Sequence, residues 1–405
     1  MKTRTAPDAL LFVLCLLATA IGTLFIFDAG YVRALQSEGT ALPKEFKTQL
    51  WMTLAGLVAY GLACRAEGRT FERLAKAGWG ICLVMLLFVD LFGQKQNEAQ
   101  RWLKLGPITL QPSEFAKIGL ILLLAATFAN RKAWPSFERF KPWFHRWEVC
   151  FPLRMRRIAP GVVALLGVYL TERGKDLGTA AVLLVILGAM CVLGGVRGRT
   201  LLVWGAFLGL ITVYMVAKEP YRMERFANHT HRWDPKVVDD EGFQSAQAEV
   251  GMASGGLTGV GLGRGRTKHI IPAPTTDYVM ATVAEETGLI GASLVLLLLG
   301  GIVARLLILA RRAENRFAAM VLAGTACWLT VQTCVNVMMA NATLPSIGIP
   351  VPFISSGGSS LIALWLAIGV CQSVVRVQKV KRVQEETGAA GADRRRYGRA
   401  YLSGA

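Results

Sequence analysis

The stretch from Gly242 to Gly291, GFQSAQAEVGMASGGLTGVGLGRGRTKHIIPAPTTDYVMATVAEETGLIG, is the one the rest of the chain is organised to present. Seven glycines fall between Gly251 and Gly265. A basic cluster follows (Arg264, Arg266, Lys268 and His269), then a lone carboxylate at Asp277, then a helix carrying Glu285 and Glu286 into an apolar run. Glycines let backbone approach a ligand closely, and cations beside them favour an anionic group such as phosphate. One carboxylate at the edge of such a surface is a candidate general base. A plainer role stays open, because Asp277 also suits the cap of a helix beginning at Tyr278.

Other acidic residues fall at comparable places. Gln111-Pro112-Ser113-Glu114 opens an apolar helix, with Lys117 three residues after Glu114 on the same face. Pro and Glu are ordinary at a helix start, but a lysine one turn inside an apolar helix needs a partner or a polar cavity. Glu114 and Lys117 therefore read as an ion pair facing the interior, structural or functional. Asp176, in GKDLGTA, precedes another apolar run and suits an N-cap equally well.

The elements that must position these groups are membrane helices. The chain is 53% hydrophobic and 18% charged, with a mean hydropathy of +0.42, which places it among polytopic membrane proteins. Its net charge of +18 would suggest nucleic acid in a soluble protein. Here the basic residues lie between apolar runs, as in cytoplasmic loops near anionic headgroups, and no nucleic-acid motif accompanies them.

Ten apolar runs are expected, near 9–27, 49–64, 74–93, 115–130, 158–171, 177–196, 200–217, 280–309, 317–340 and 359–375. Every even-numbered run ends at a basic cluster, which puts both termini in the cytoplasm. Segments 28–48, 94–114, 218–277 and 341–358 then face outward, and Glu114, Asp176 and Asp277 share the outer side. Residues 1–384 form the membrane domain, with 218–277 as a large extracytoplasmic loop. Residues 385–405 read as a solvated cytoplasmic tail. The eight cysteines sit in apolar runs or near cytoplasmic ends and imply no disulfide framework.

Several signals are weak. GVGLGRG lacks the βαβ surroundings of a dinucleotide fingerprint, and His229-Thr230-His231 reads as a solvated loop rather than a metal site. Leu344 to Ser360, LPSIGIPVPFISSGGSS, is too rich in Pro and Gly for a helix. Irregular backbone at a membrane must be buried in protein or line a wet cavity, so this segment is expected to shape the outer mouth.

RWLKLGPITLQPSEFAK, DLGTA, the GFQ…SGGLTGVGLGRG loop, TDYVMATVAEETGLIG and GIPVPFISSGGSS, in this order, resemble the SEDS family (shape, elongation, division and sporulation), which includes FtsW- and RodA-type proteins. The resemblance covers nearly the whole chain. It implies an all-α bundle of about ten transmembrane helices that polymerises peptidoglycan glycan strands. The implied substrate is lipid II at the outer face of the cytoplasmic membrane, and the implied partner a class B penicillin-binding protein (a transpeptidase). The family's essential Asp falls on Asp277, its QPSEFAK Glu and Lys on Glu114 and Lys117, and its PDLG Asp on Asp176. The chain departs from the family at Pro272-Ala273-Pro274-Thr275, where Pro-Glu-x-His is usual, at Lys175 in place of Pro, and at Ser356 in place of Tyr.

On this reading Asp277 takes the proton from an acceptor sugar hydroxyl in an inverting transfer. Lys117, Arg101, Arg264, Arg266 and Lys268 are candidates to neutralise the departing pyrophosphate, with a divalent cation, magnesium or manganese, as a possible helper and no organic cofactor. The alternatives are a lipid II flippase, suggested by charges at Lys117, Glu285 and Glu286 in or near apolar helices, and a non-catalytic scaffold of the cell-wall machinery.

Overall fold

A computed structural model describes residues 7–96, 99–105, 108–129, 147–196, 198–218, 220–234, 237, 242–272 and 274–376. The expected tail at 385–405 and the basic loop at 131–146 lie outside the described residues.

Each of the ten apolar runs forms a helix. These are α1 (Ala9–Glu38), α2 (Lys44–Arg65), α3 (Gly68–Phe92), α4 (Pro112–Ala129), α5 (Trp147–Arg173), α6 (Leu177–Leu193), α7 (Gly198–Lys218), α11 (Val279–Arg311), α12 (Arg316–Ala340) and α13 (Gly358–Arg376). Among the described residues, six of them (α1, α3, α4, α11, α12 and α13) are long and apolar enough to cross a membrane, while α6 is a shorter apolar helix. The segment expected as one large loop, 218–277, contains three further helices: α8 (Pro220–Thr230), α9 (Phe243–Gly255) and α10 (Thr267–Ile270). One departure from an all-helical fold is a small antiparallel sheet between α3 and α4, made of β1 (Gln94–Gln96), β2 (Ala99–Leu105) and β3 (Ile108–Leu110) in that order.

The helix ends follow local chemistry. Asp8 caps α1 by accepting from Leu11 N at 3.0 Å, Asp176 caps α6 through Thr179 N at 3.2 Å, and Asn315 caps α12 through Ala318 N at 2.7 Å. Gly39 closes α1 in the left-handed conformation. Helices α4 and α13 are the most enclosed spans, with 78% and 83% of their apolar windows buried. They form the centre, with α4 packed against α3, α6 and α12.

Helices α1 and α11 lie side by side and are joined by ions at both ends. At one end Arg305 donates to both Asp8 oxygens, at 3.1 and 2.6 Å. At the other, Lys268 bridges Asp28 on α1 and Glu286 on α11. Asp8 and Asp28 are twenty residues apart in sequence, about 30 Å of helix. That is about the thickness of a bilayer's hydrocarbon core, so the stretch between the two ion clusters is long enough to cross one.

Candidate functional site

The end of the bundle opposite Arg305 holds the acidic residues picked out from sequence. Asp277 sits one residue before Tyr278, the N-cap position of α11, so it lies just outside the helix it was weighed as capping. It is half-buried. Its carbonyl accepts from Asn336 Nδ2 at 2.9 Å, and its carboxylate lies against Gly348, where an added Cβ would stand 3.8 Å from Oδ2.

Residues 341–357 cross this end without regular structure, as their Pro and Gly content demands, and most of them are buried or half-buried. They fasten the other parts together. Ser355 Oγ donates to Thr276 O at 2.7 Å, and Ser356 N donates to Thr275 O at 2.8 Å. Ser359, in the first turn of α13, accepts from Gln111 N at 3.0 Å and donates to Thr109 O at 3.2 Å, which joins β3, the start of α4 and the start of α13.

Lys117 and Glu114 form the expected interior pair at 2.7 Å, with side chains 1% and 3% exposed. Lys117 also donates to Gln332 Oε1 at 3.2 Å and lies over the Trp328 ring, 5.4 Å from its centroid. Asp176 does more than cap α6. Its Oδ2 accepts from Gln111 Nε2 at 2.8 Å and from Ser113 Oγ at 3.2 Å, so the QPSE and DLGT motifs meet at this carboxylate. Arg101 on β2 approaches Asp176 at 3.8 Å and donates to the Lys175 carbonyl. The two side a cleft whose walls include Asp90, Gln100, Ser113 and Thr171.

The basic cluster after the glycines splits. Arg264 and Arg266 are exposed. Lys268, expected beside a pyrophosphate, is instead an internal cation: its side chain is 1% exposed and its ammonium is taken by Asp28 and by Glu286, the latter at 2.6 Å. Burial, and secondarily the charge of Lys268, holds the neighbouring His269 below the usual imidazole range.

Glu285 and Glu286 are occupied in the same way. Glu286 accepts from Gly263 N at 3.3 Å and Gly265 N at 3.2 Å, while Glu285 accepts from Arg266 N at 2.8 Å and Thr267 N at 3.0 Å. The glycines make this fit possible. A Cβ on Gly259, which has φ +82°, would stand 2.1 Å from the Glu286 carbonyl, and α11 breaks its helical geometry at Gly288, with φ +66°, where the loop crosses. The close approach inferred from the glycines is real, and its object is the chain's own helix.

Sequence reasoning missed Asp28, Gln332 and Asn336. The two amides were visible as polar residues four apart in the apolar run of α12, a spacing that puts both on one face. Among the described residues no group of three or more His, Cys, Asp or Glu side chains is arranged to hold a metal ion.

This architecture defines a polytopic helical membrane protein in which the acidic residues Glu114, Asp176 and Asp277 share one end of the bundle with the buried amides Gln332 and Asn336. The same assignment follows from comparison with known proteins. The chain belongs to the FtsW/RodA/SpoVE family of cell cycle proteins, whose family model matches residues 8–380. It is 29% identical over 389 residues to stage V sporulation protein E of Bacillus subtilis, covering 93% of this chain and 99% of that protein. It is 31% identical over 338 residues to the probable peptidoglycan glycosyltransferase FtsW of Taylorella equigenitalis, covering 80% and 86%. Among solved structures it resembles a chain of a peptidoglycan synthase complex studied for the coordination of polymerization and crosslinking, with TM-score 0.70, 28% identity, and 92% and 98% of the two chains covered. It also resembles the rod shape determining protein RodA of Thermus thermophilus, with TM-score 0.64, 27% identity, and 92% and 97% covered.

Proposed function

We propose that the chain is a peptidoglycan glycosyltransferase that extends glycan strands, in division or elongation, from lipid II at the outer face of the cytoplasmic membrane. Both termini then lie in the cytoplasm, and the end bearing Asp277 faces outward. The observation that carries the reading is the convergence at that end: Asp277 on a backbone-clamped turn, the Lys117–Glu114 pair beneath it through α12, and the Arg101–Asp176 cleft beside it.

Asp277 is half-buried at the surface of this end, where an acceptor sugar can reach it. As general base it removes the hydroxyl proton while the oxygen attacks the anomeric carbon of the donor, and the undecaprenyl pyrophosphate leaves from the opposite face with inversion. The departing charge is met by cations with room to receive it, Arg264 and Arg266 at the exposed rim and Arg101 at the cleft. Lys117 lies below them, its charge balanced by Glu114 and its position held by Gln332. Lys268 is excluded from this set because Asp28 and Glu286 already neutralise it. Among the described residues no group of three or more His, Cys, Asp or Glu side chains is placed to hold a metal ion, and a divalent cation carried by the pyrophosphate itself would add to the same neutralisation. A class B penicillin-binding protein is the partner that would crosslink the product, in line with the synthase complex that the fold resembles.

The flippase alternative drew on Lys117, Glu285 and Glu286, all of which are engaged by fixed internal partners. The test is lipid II polymerisation by purified protein, with and without a penicillin-binding partner, comparing wild type with Asp277→Asn. The amide keeps the shape but cannot take a proton, so the variant should bind lipid II and polymerise at least about a hundredfold more slowly. Activity within a few-fold of wild type would end the assignment of Asp277 as base.

A further inference from the structure

Three consecutive carbonyls lead up to and include Asp277, and each accepts a hydrogen bond from elsewhere in the chain: Thr275 from Ser356 N, Thr276 from Ser355 Oγ and Asp277 from Asn336 Nδ2. Asn336 is 0% exposed, and its second N–H goes to Ile349 O at 2.7 Å. One buried amide on α12 therefore sets the spacing between the turn carrying Asp277 and the irregular segment above it. Gln332, one turn earlier and also 0% exposed, does the same for the next carbonyl, donating from Nε2 to Pro350 O at 2.8 Å. Its Oε1 receives Lys117 Nζ at 3.2 Å and Trp328 Nε1 at 2.6 Å.

A buried amide is unfavourable unless its hydrogen bonds are made, and here the amino groups of both residues are spent on backbone carbonyls. The chemistry also fixes which way Asn336 points. Two carbonyls can be met only by the amino group, so Oδ1 faces away from them and has no hydrogen-bond partner among the described residues.

We propose that Asn336 is a positioning residue for glycosyl transfer, holding the Asp277 carboxylate in register with Lys117 through the rigid face of α12, where Gln332 holds the lysine. The proposal rests on the reading of Asp277 as general base. A base must lie within about 2.6–3.2 Å of the proton it takes, and a displacement of about 1 Å can cost about a hundredfold in rate. Loss of Asn336 frees the Asp277 carbonyl but leaves the Ser355 and Ser356 bonds, so the turn shifts while remaining attached.

The experiment uses full-length protein in lipid nanodiscs, with the folded fraction measured by size exclusion and thermal unfolding, and initial polymerisation rates followed against lipid II concentration. Asn336→Ala should lower kcat per folded molecule by about tenfold to a hundredfold and leave the lipid II KM within about twofold, because the residue does not touch substrate. Asn336→Thr, which restores one hydroxyl donor, should recover part of that loss. A purely structural role would lower the folded fraction and leave kcat per folded molecule unchanged. If Asn336→Ala does not fold, Asn336→Leu is scored in its place, since it also lacks the donor to the Asp277 carbonyl but fills the space of the side chain. Wild-type kcat per folded molecule in the scored variant, or a change confined to KM, overturns the proposal. Asp277→Asn is measured alongside. An active Asp277→Asn refutes the base itself, whereas an inactive Asp277→Asn with a fully active Asn336→Ala refutes only the positioning.

Discussion

Replacing Lys268 with Met separates a structural cation from a substrate-binding one. The lysine and Glu286 side chains are 1% and 0% exposed and lie 2.6 Å apart, with Asp28 on the other side of the ammonium. Removing one partner of a buried ion pair typically costs about 3–5 kcal/mol, because the remaining charge stays buried without compensation. Glu286 keeps its bonds from Gly263 N and Gly265 N, which favours the lower end, about 3 kcal/mol. Against a typical total of about 5–15 kcal/mol, that is a large fraction of the stability. Lys268→Met should therefore unfold at clearly lower temperature in detergent or nanodiscs. The deficit should persist as salt is raised, since buried pairs are screened far less than exposed ones. Adding Glu286→Gln should restore part of the loss by removing the stranded charge. The folded fraction of Lys268→Met should keep a near-normal lipid II KM. Wild-type thermal stability together with a KM raised tenfold or more would refute the structural assignment and return Lys268 to the pyrophosphate.

Two further outcomes follow from other parts of the bundle. Lys117→Ala should lose about 3–5 kcal/mol by leaving the Glu114 carboxylate buried and unpaired; adding Glu114→Gln should recover stability but little polymerase activity, and wild-type melting of Lys117→Ala would refute the pair's contribution. For orientation, a cysteine placed at the exposed Thr230 should react with an impermeant maleimide on intact cells, and one at the exposed Arg312 only after permeabilisation; the reverse pattern would invert the assigned topology.

Much of this was readable from the sequence because it is local. Apolar runs of near-membrane length become helices wherever their backbone must bond internally, and Glu114–Lys117 and the Asp176 cap each form within a single helical turn. What could not be read depends on distant partners. Asp28 fell in a segment expected as an outer loop, yet from Asp28 to Glu38 there is no proline and a single glycine, Gly30, so α1 continues to Gly39 and carries the carboxylate to Lys268, 240 residues away in sequence. The Gly251–Gly265 run was read as an invitation to a ligand. Glycine permits close approach without saying what approaches, and here the approaching surface is α11 itself. Asn336 and Gln332 announced themselves as amides in an apolar helix, but their acceptors lie in a segment whose course no periodicity reveals.

The two kinds of attachment around Asp277 hold it from different sides, and together they bear on transfer versus transport. On its C-terminal side, the start of α11 is fixed by loop amides on Glu285 and Glu286 before the break at Gly288. On its N-terminal side, Ser355, Ser356 and Asn336 hold three carbonyls in succession. A base serves glycosyl transfer best when it is held this way, because the reaction gains from fixed geometry and loses steeply with displacement. Carrying a sugar pyrophosphate across the membrane would demand the opposite, a polar path that opens through the bundle. The ionisable groups nearest such a path, Lys117 and Glu114, are locked between α4 and α12 with Gln332 and Trp328 closing over them. Opening there would expose a buried ion pair and separate two of the bundle's tightly packed helices. Catalysis at the rim needs neither step, which is why the pairing of Lys117 with Glu114 and Gln332 favours a polymerase over a conduit.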